Sequence, residues 1–145
     1  MNIMTGLTPS QDAQQKPAVK TSISEIRKMN LKGISEKKDP QIYIDHIFET
    51  ADEIDELIGE MGFEEFLKDI AVKKAVVCNL MIIGEAAGCI DQETRAKYHD
   101  VKWSKIVGMR NKLIHEYFGI DYEAVWGAVR THLPELKQQL KKTRR

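Results

Sequence analysis

The stretch IAVKKAVVCNLMIIGEAAGCI, residues 70–90, decides the fold. Val72, Val76, Leu80, Ile83 and Ala87 recur along one side of a helix, and Val77, Met81 and Ile82 lie beside them. A helix that is apolar almost all the way round belongs at the centre of a bundle, because only neighbours on several sides can cover it. Glu85 interrupts this run. A carboxylate left unpaired in an apolar interior is too costly, so the sequence predicts a partner for it, an inter-helix ion pair or a backbone cap.

Working outward, Asp39-Pro40 reads as an N-cap followed by the first helical position. Ile44, Ile47, Ala51, Ile54 and Ile58 then keep the spacing of one helical face until Gly59–Gly62 break it. The opposite face and the segment after the break carry Asp45, Glu49, Asp52, Glu53, Asp55 and Glu56, then Glu60, Glu64, Glu65 and Asp69. This acidic surface would repel a phosphate backbone. On the other side of the central stretch, Asp91–Tyr98 reads as a short helical turn, and Asp100 is expected to cap a third long helix running to about Phe118, with Gly119 ending it. Asp121 caps a fourth, whose apolar stripe is Tyr122, Val125, Val129, Leu133, Leu136 and Leu140, with a kink expected at Pro134. The expected fold is therefore all-α: a four-helix bundle with short connections. No strand, glycine-rich phosphate loop or internal repeat is evident.

A chain of 145 residues holds one domain and a tail. Residues 1–38, polar at their start and bearing seven basic and three acidic groups, are expected to form a mobile tail, and 39–145 the helical domain. Met29 begins a segment that leads into the periodic pattern, and a start chosen upstream of it would account for residues 1–28. Basic and acidic residues number 22 each, so bulk attraction to nucleic acid or membrane cannot be assumed and any such partner needs a local patch. The basic end, Lys141 to Arg145, reads as solvated charge. Cys78 and Cys89, eleven residues apart on one helix, are separated by roughly 16 Å along its axis, too far for a disulfide. No membrane-length apolar run and no signal peptide are present, and a cytoplasmic location is expected.

The third helix carries the candidate chemistry. Trp103, Ile106, Val107, Arg110, Ile114 and Tyr117 have core-like spacing, which puts an arginine where an apolar side chain is expected. From Lys102 to His115 there are four cationic side chains, Lys102, Lys105, Arg110 and Lys112, and no acid. Asn111 and His115 share a face, while Arg110 and Tyr117 nearly share another about 140° round, with a rise of roughly 7.5 Å from Arg110 to His115. The spacing is equally met by plain structural roles: His115 favourably placed at a helix C-terminus, Arg110 paired with Glu85, Tyr117 a core aromatic with its hydroxyl at the surface.

The run Met109-Arg110-Asn111-Lys112-Leu113-Ile114-His115-Glu116-Tyr117-Phe118 resembles the signature of HepT-like toxins of the HEPN superfamily, Arg, four residues, His, any residue, Tyr. The resemblance extends over about residues 36–140, through Asp39-Pro40 and the Tyr-Ile-His helix after it, Glu65-Phe66-Leu67, Ile83-Gly84-Glu85-Ala86, Trp103, and Asp121 with Trp126. It implies a HEPN-like bundle, a homodimer, and a metal-independent endoribonuclease that is the toxin of a toxin–antitoxin system. The implied partner is a MntA-type minimal nucleotidyltransferase antitoxin that transfers AMP onto the motif tyrosine, here Tyr117. The residues suit that chemistry. Attack of a ribose 2′-hydroxyl on the adjacent phosphorus needs a base, an acid and cationic donors for the phosphorane. His115 can be acid or base near neutral pH, the Arg110 guanidinium presents a fork to two phosphate oxygens, and Asn111 can hold the ring or the ribose. Lys105 and Lys112 are candidate RNA-binding residues. A single histidine in the motif, His115, leaves one side of an in-line displacement unserved, which a two-fold dimer would remedy. No cofactor or metal ligand set is expected. The alternative is a catalytically silent HEPN-type RNA or nucleotide binder that keeps the motif for its nucleotidyltransferase partner; a purely structural adaptor leaves Arg110, His115 and Tyr117 unexplained together.

Overall fold

The computed structural model describes residues 38–143, and the expectations for residues 1–37 and for Arg144 and Arg145 lie outside them. Among the described residues there is no strand. The helices are α1 (Pro40–Ile58), α2 (Phe63–Lys68), α3 (Ile70–Gly88), α4 (Gln92–Lys97), α5 (Trp103–His115), α6 (Tyr122–Gly127) and α7 (Leu133–Thr143), the last two joined by a π-helical segment, Ala128–His132. The all-α bundle is thus as read: α1, α3, α5 and the α6–α7 rod are the four long elements, and α2 and α4 are short connectors.

Aspartates start four of these helices. Asp39 accepts from the Gln41 N–H (2.9 Å), Asp69 from Val72 (3.0 Å), Asp91 from Thr94 (2.8 Å) and Asp121 from Ala124 (3.1 Å). Each satisfies an N–H that the helix leaves unpaired, worth about 1 kcal/mol. Asp100, expected to do the same for α5, does not. Its carboxylate lies 3.1 Å from His99 Nδ1, α5 begins three residues later at Trp103, and its N-cap position, Lys102, makes no side-chain cap. The cause is apolar: Tyr98, Val101 and Trp103 all turn into the core, which leaves Asp100 pointing outward. α1 ends at Gly59, whose φ of 51° is the left-handed conformation that glycine adopts without penalty.

The predicted stripe of α1 is buried throughout, with Ile44, Ala51 and Ile54 fully covered. α3 packs against both α1 and α5, as its all-round apolarity requires, and α7 returns against α1. Phe66 of α2, also fully buried, lies 5.2 Å from the Trp126 ring and 6.2 Å from that of Tyr122, tying α2 to α6. Burying one such ring stabilises the fold by about 1.5–3 kcal/mol. Across the polar side, Lys137 of α7 bridges Asp52 and Asp55 of α1, the latter at 2.7 Å. Burial works against the charge on Lys137, but hydrogen bonds and attraction from the two aspartates outweigh it and raise its pKa above the ordinary 10.5.

Just before Pro134 the rod widens into a π-helical turn. Proline offers no N–H to the Arg130 carbonyl, and just before it the Leu133 N–H bonds Ala128 O, five residues back, in a π turn. Both cysteines are free and exposed. No helix among the described residues is long and apolar enough to cross a membrane.

Candidate active site

The site is built where α3 and α5 cross. A Cβ at position 84 would stand 2.2 Å from Arg110 Cβ and 2.9 Å from its Cγ, so Gly84 is what lets the arginine stem lie against the α3 backbone. A glycine inside a helix costs about 1 kcal/mol relative to alanine, and here the close approach explains it. The stem is covered; the guanidinium is not. Arg110 Nη2 lies 2.6 Å from Glu85 Oε2, and Nη1 donates to Asn111 Oδ1 at 2.9 Å. One partner from each helix therefore fixes the plane of the fork.

Two expectations change here. Glu85 has the predicted ion-pair partner but is not buried: its side chain is 64% exposed against 31% for Arg110. A pair this open contributes little stability, at most about 1 kcal/mol, so its effect is to orient the guanidinium. The core-like spacing of α5 also misleads. Of its six positions only Trp103 is buried; Ile106, Val107 and Arg110 are half-covered, and Ile114 and Tyr117 are exposed. Leu113, not counted in that stripe, is the other residue of α5 that enters the core.

α5 ends at His115, three residues before the expected Phe118, because the chain turns at Glu116–Gly119, where the Gly119 N–H bonds Glu116 O at 2.9 Å. His115 is therefore the last residue of the helix, exposed and, among the described residues, without a hydrogen-bond partner. Just beyond it the Tyr117 and Phe118 rings lie 4.4 Å apart, 64% and 92% exposed. With Ile114 they form an apolar platform at the end of the helix that carries Arg110 and His115.

Lys105 and Lys112 go elsewhere. They line a groove of about 430 Å³ between α3, α5 and the α6–α7 rod, on the flank of α5 turned from Arg110. The structure thus brings Arg110, Asn111 and Glu85 together, sets His115 a turn and a half further along the same helix, and separates the two lysines from them. Gly84 was missed as a positioning residue, although a glycine in an apolar helical run beside a lone glutamate is the signal for it. His132, which also lines the groove, carried no sequence signal. No group of three or more His, Cys, Asp or Glu among the described residues is arranged to hold a metal ion.

Comparison with known proteins gives this geometry its family. The HepT-like ribonuclease family profile matches residues 47–143, which include all of α3 and α5 and every site residue above. The chain belongs to the HepT-like ribonucleases. A protein named "Putative RNase" from Caldanaerobacter subterraneus subsp. tengcongensis is 41% identical over 104 residues, 72% of this chain and 93% of the relative. A "Putative RNase" of Methanocaldococcus jannaschii is 40% identical over 106 residues, 73% and 88% of the two chains. The "Probable ribonuclease HepT" of Thermococcus cleftensis is 36% identical over 109 residues, 75% and 99%. No solved structure matches the chain. The similarity spans the helices that present the oriented arginine and the exposed helix-terminal histidine.

Proposed function

We propose that this HepT-like protein is the toxin of a toxin–antitoxin system, a metal-independent endoribonuclease working at a site shared between two copies of the chain. The observation that carries the reading is the orientation of Arg110 by Glu85 and Asn111 on the same helix as His115, which stands exposed beside an apolar platform.

The chemistry runs as follows. A ribose 2′-oxygen attacks the adjacent phosphorus, its proton passing to one imidazole. The bond to the 5′-oxygen breaks, and that oxygen takes a proton from a second imidazole. The products are a 2′,3′-cyclic phosphate and a 5′-hydroxyl. Arg110 balances the charge of the phosphorane, exchanging its Glu85 and Asn111 partners for two phosphate oxygens on the guanidinium fork. The 2′-hydroxyl is the nucleophile and the imidazoles carry the protons, so the scheme calls on no metal. Because base and acid act on opposite sides of the phosphorus, His115 of a second copy completes the pair. Ile114 and Phe118 are apolar surface that a two-fold partner would cover.

Control acts at Tyr117. The antitoxin nucleotidyltransferase joins the Tyr117 oxygen to the α-phosphorus of ATP; pyrophosphate leaves and the phenolic proton goes to solvent. Tyr117 stands exposed in the turn just beyond α5, two residues after His115. The added phosphodiester and adenosine therefore sit at the mouth of the site and compete with RNA for Arg110.

The test is cleavage of single-stranded RNA in EDTA by protein free of its antitoxin, with product ends read by mass spectrometry. Cyclic phosphate ends are expected. Intact RNA from folded protein would leave the silent binder as the reading. Tyr117→Phe should keep most of the activity and resist neutralisation by partner and ATP; adenylylation at another residue would refute the assigned control point.

A further inference from the structure

The groove that holds Lys105 and Lys112 is not used by the reaction above. Its floor is apolar, with Ile83, Ile106, Met109 and Leu136, and its volume of about 430 Å³ lies within the ~300–1,000 Å³ of ligand pockets. Its edge is cationic: Lys102, Lys105 and Lys112 on α5 face His132 across the groove, against one acid, Glu135. His132 and Ala128 reach it from the π turn, a local geometry found disproportionately at functional sites.

The lysines also lie on a path. Lys112 precedes His115 by three residues, about 60° round α5 and roughly 4.5 Å along it; Lys105 lies a further seven residues back, about 20° round and roughly 10.5 Å along. A polyanion leaving His115 toward the start of α5 meets Lys112, then Lys105, with the apolar floor alongside. Single-stranded RNA has both required parts, a charged backbone and bases with apolar faces that stack on side chains such as histidine. An apolar peptide would leave the lysine row unmatched, and an acidic one would leave the floor uncovered.

We propose that this groove is a nucleobase subsite of the ribonuclease, seating a base of the substrate strand a short distance from the scissile phosphate, on Met109 and His132, while Lys112 and Lys105 hold the flanking phosphates. The inference rests on the ribonuclease reading and extends it from the reacting phosphate to a pocket that chooses among bases.

An eight-nucleotide 2′-O-methyl RNA has no free 2′-hydroxyl and reports binding without cleavage. Its affinity for the full chain is measured by fluorescence anisotropy over a range of salt. Lys105→Ala/Lys112→Ala should flatten the slope of log K against log salt by about 1.4, two phosphates at ~0.7 each. Gly108 lines the groove and a Cβ there meets nothing within 4 Å, so Gly108→Phe is used to put a ring into the pocket, its fold checked by circular dichroism and by an undiminished urea midpoint. It should weaken the octamer about tenfold and leave the slope unchanged. An octamer of abasic nucleotides should bind the wild type and Gly108→Phe equally. Wild-type affinity and slope in both variants would overturn the subsite. So would an equal Gly108→Phe penalty for the abasic octamer, which assigns the groove to backbone, or a change in the mass of the RNA-free protein in Gly108→Phe, which assigns it to a second copy. Cleavage of ordinary RNA by the wild type is scored separately: cleavage with unaffected binding in the variants removes the subsite alone, and the expected binding without cleavage removes the reaction alone.

Discussion

Two ends of α5 are built on different principles. At Arg110 the helix is pressed against Gly84 of α3 until a single methyl group would not fit, and the guanidinium is held by a partner from each helix. At His115 the helix stops, the imidazole has no hydrogen-bond partner among the described residues, and the rings that follow stand exposed. In the proposed reaction the charge-balancing group, Arg110, is preset by packing inside one chain, and the proton-transfer group, His115, is presented outward. The proposed acid and base act on opposite sides of a phosphorus, and the end of α5 offers one histidine for them, which is why the proposal draws the other from a second copy.

The largest expected effect is on turnover. His115→Ala and Arg110→Ala should each lower RNA cleavage by at least about 100-fold, the low end for loss of a positioned acid or base, with folding retained because neither side chain is buried. Cleavage by either variant at the wild-type rate would break the comparison at that end.

Next is the crossing itself. Gly84→Ala should destabilise the protein by about 1–3 kcal/mol in urea denaturation, since the new Cβ collides with the start of the Arg110 side chain. Arg110→Ala should not relieve this, because the shortest contact is Cβ to Cβ. Gly108→Ala is the control: nothing lies within 4 Å of its Cβ, so helix propensity alone should stabilise it by up to about 1 kcal/mol. The same sign for both glycines would show that the crossing is looser than described.

These glycines also show what the sequence does and does not carry. Asp39 and Asp121 cap their helices as read, because a cap depends on three or four residues in a row. Asp100 reads the same locally and fails because Tyr98 before it and Val101 and Trp103 after it are drawn into the core. The stripes of α1 and of the α6–α7 rod are as expected, since their apolar positions meet the core. The stripe of α5 has the same period but ends in exposed residues: periodicity reports that a face is apolar, not what covers it. Arg110 and Glu85 were legible as a pair from chemistry, whereas their position depends on Gly84, a contact between residues 26 apart that no local pattern encodes. The split between the arginine face and the lysine groove is a matter of which flank of α5 meets α7, and that too is tertiary.

The smallest effect concerns the bridge that ties α7 to α1. Lys137→Met should cost no more than about 1 kcal/mol at pH 8, the pair being partly exposed. The folded pKa of Lys137 is raised, so its stabilisation is complete below 10.5 and is lost as pH rises through the higher folded value. The difference between wild type and Lys137→Met in urea denaturation should therefore shrink above about pH 11. A difference that grows with pH would reverse the assignment.

The claim that the site is divided between two copies is tested most directly by mixing. His115→Ala chains are combined with wild-type chains, and the heterodimers are isolated by two different affinity tags and assayed on single-stranded RNA. Each heterodimer keeps one His115 where the reaction calls for two, so the account predicts cleavage at least about 100-fold below wild type, not half of it. Verified heterodimers with half of the wild-type activity, or a wild-type protein that is fully active while monomeric, would contradict it.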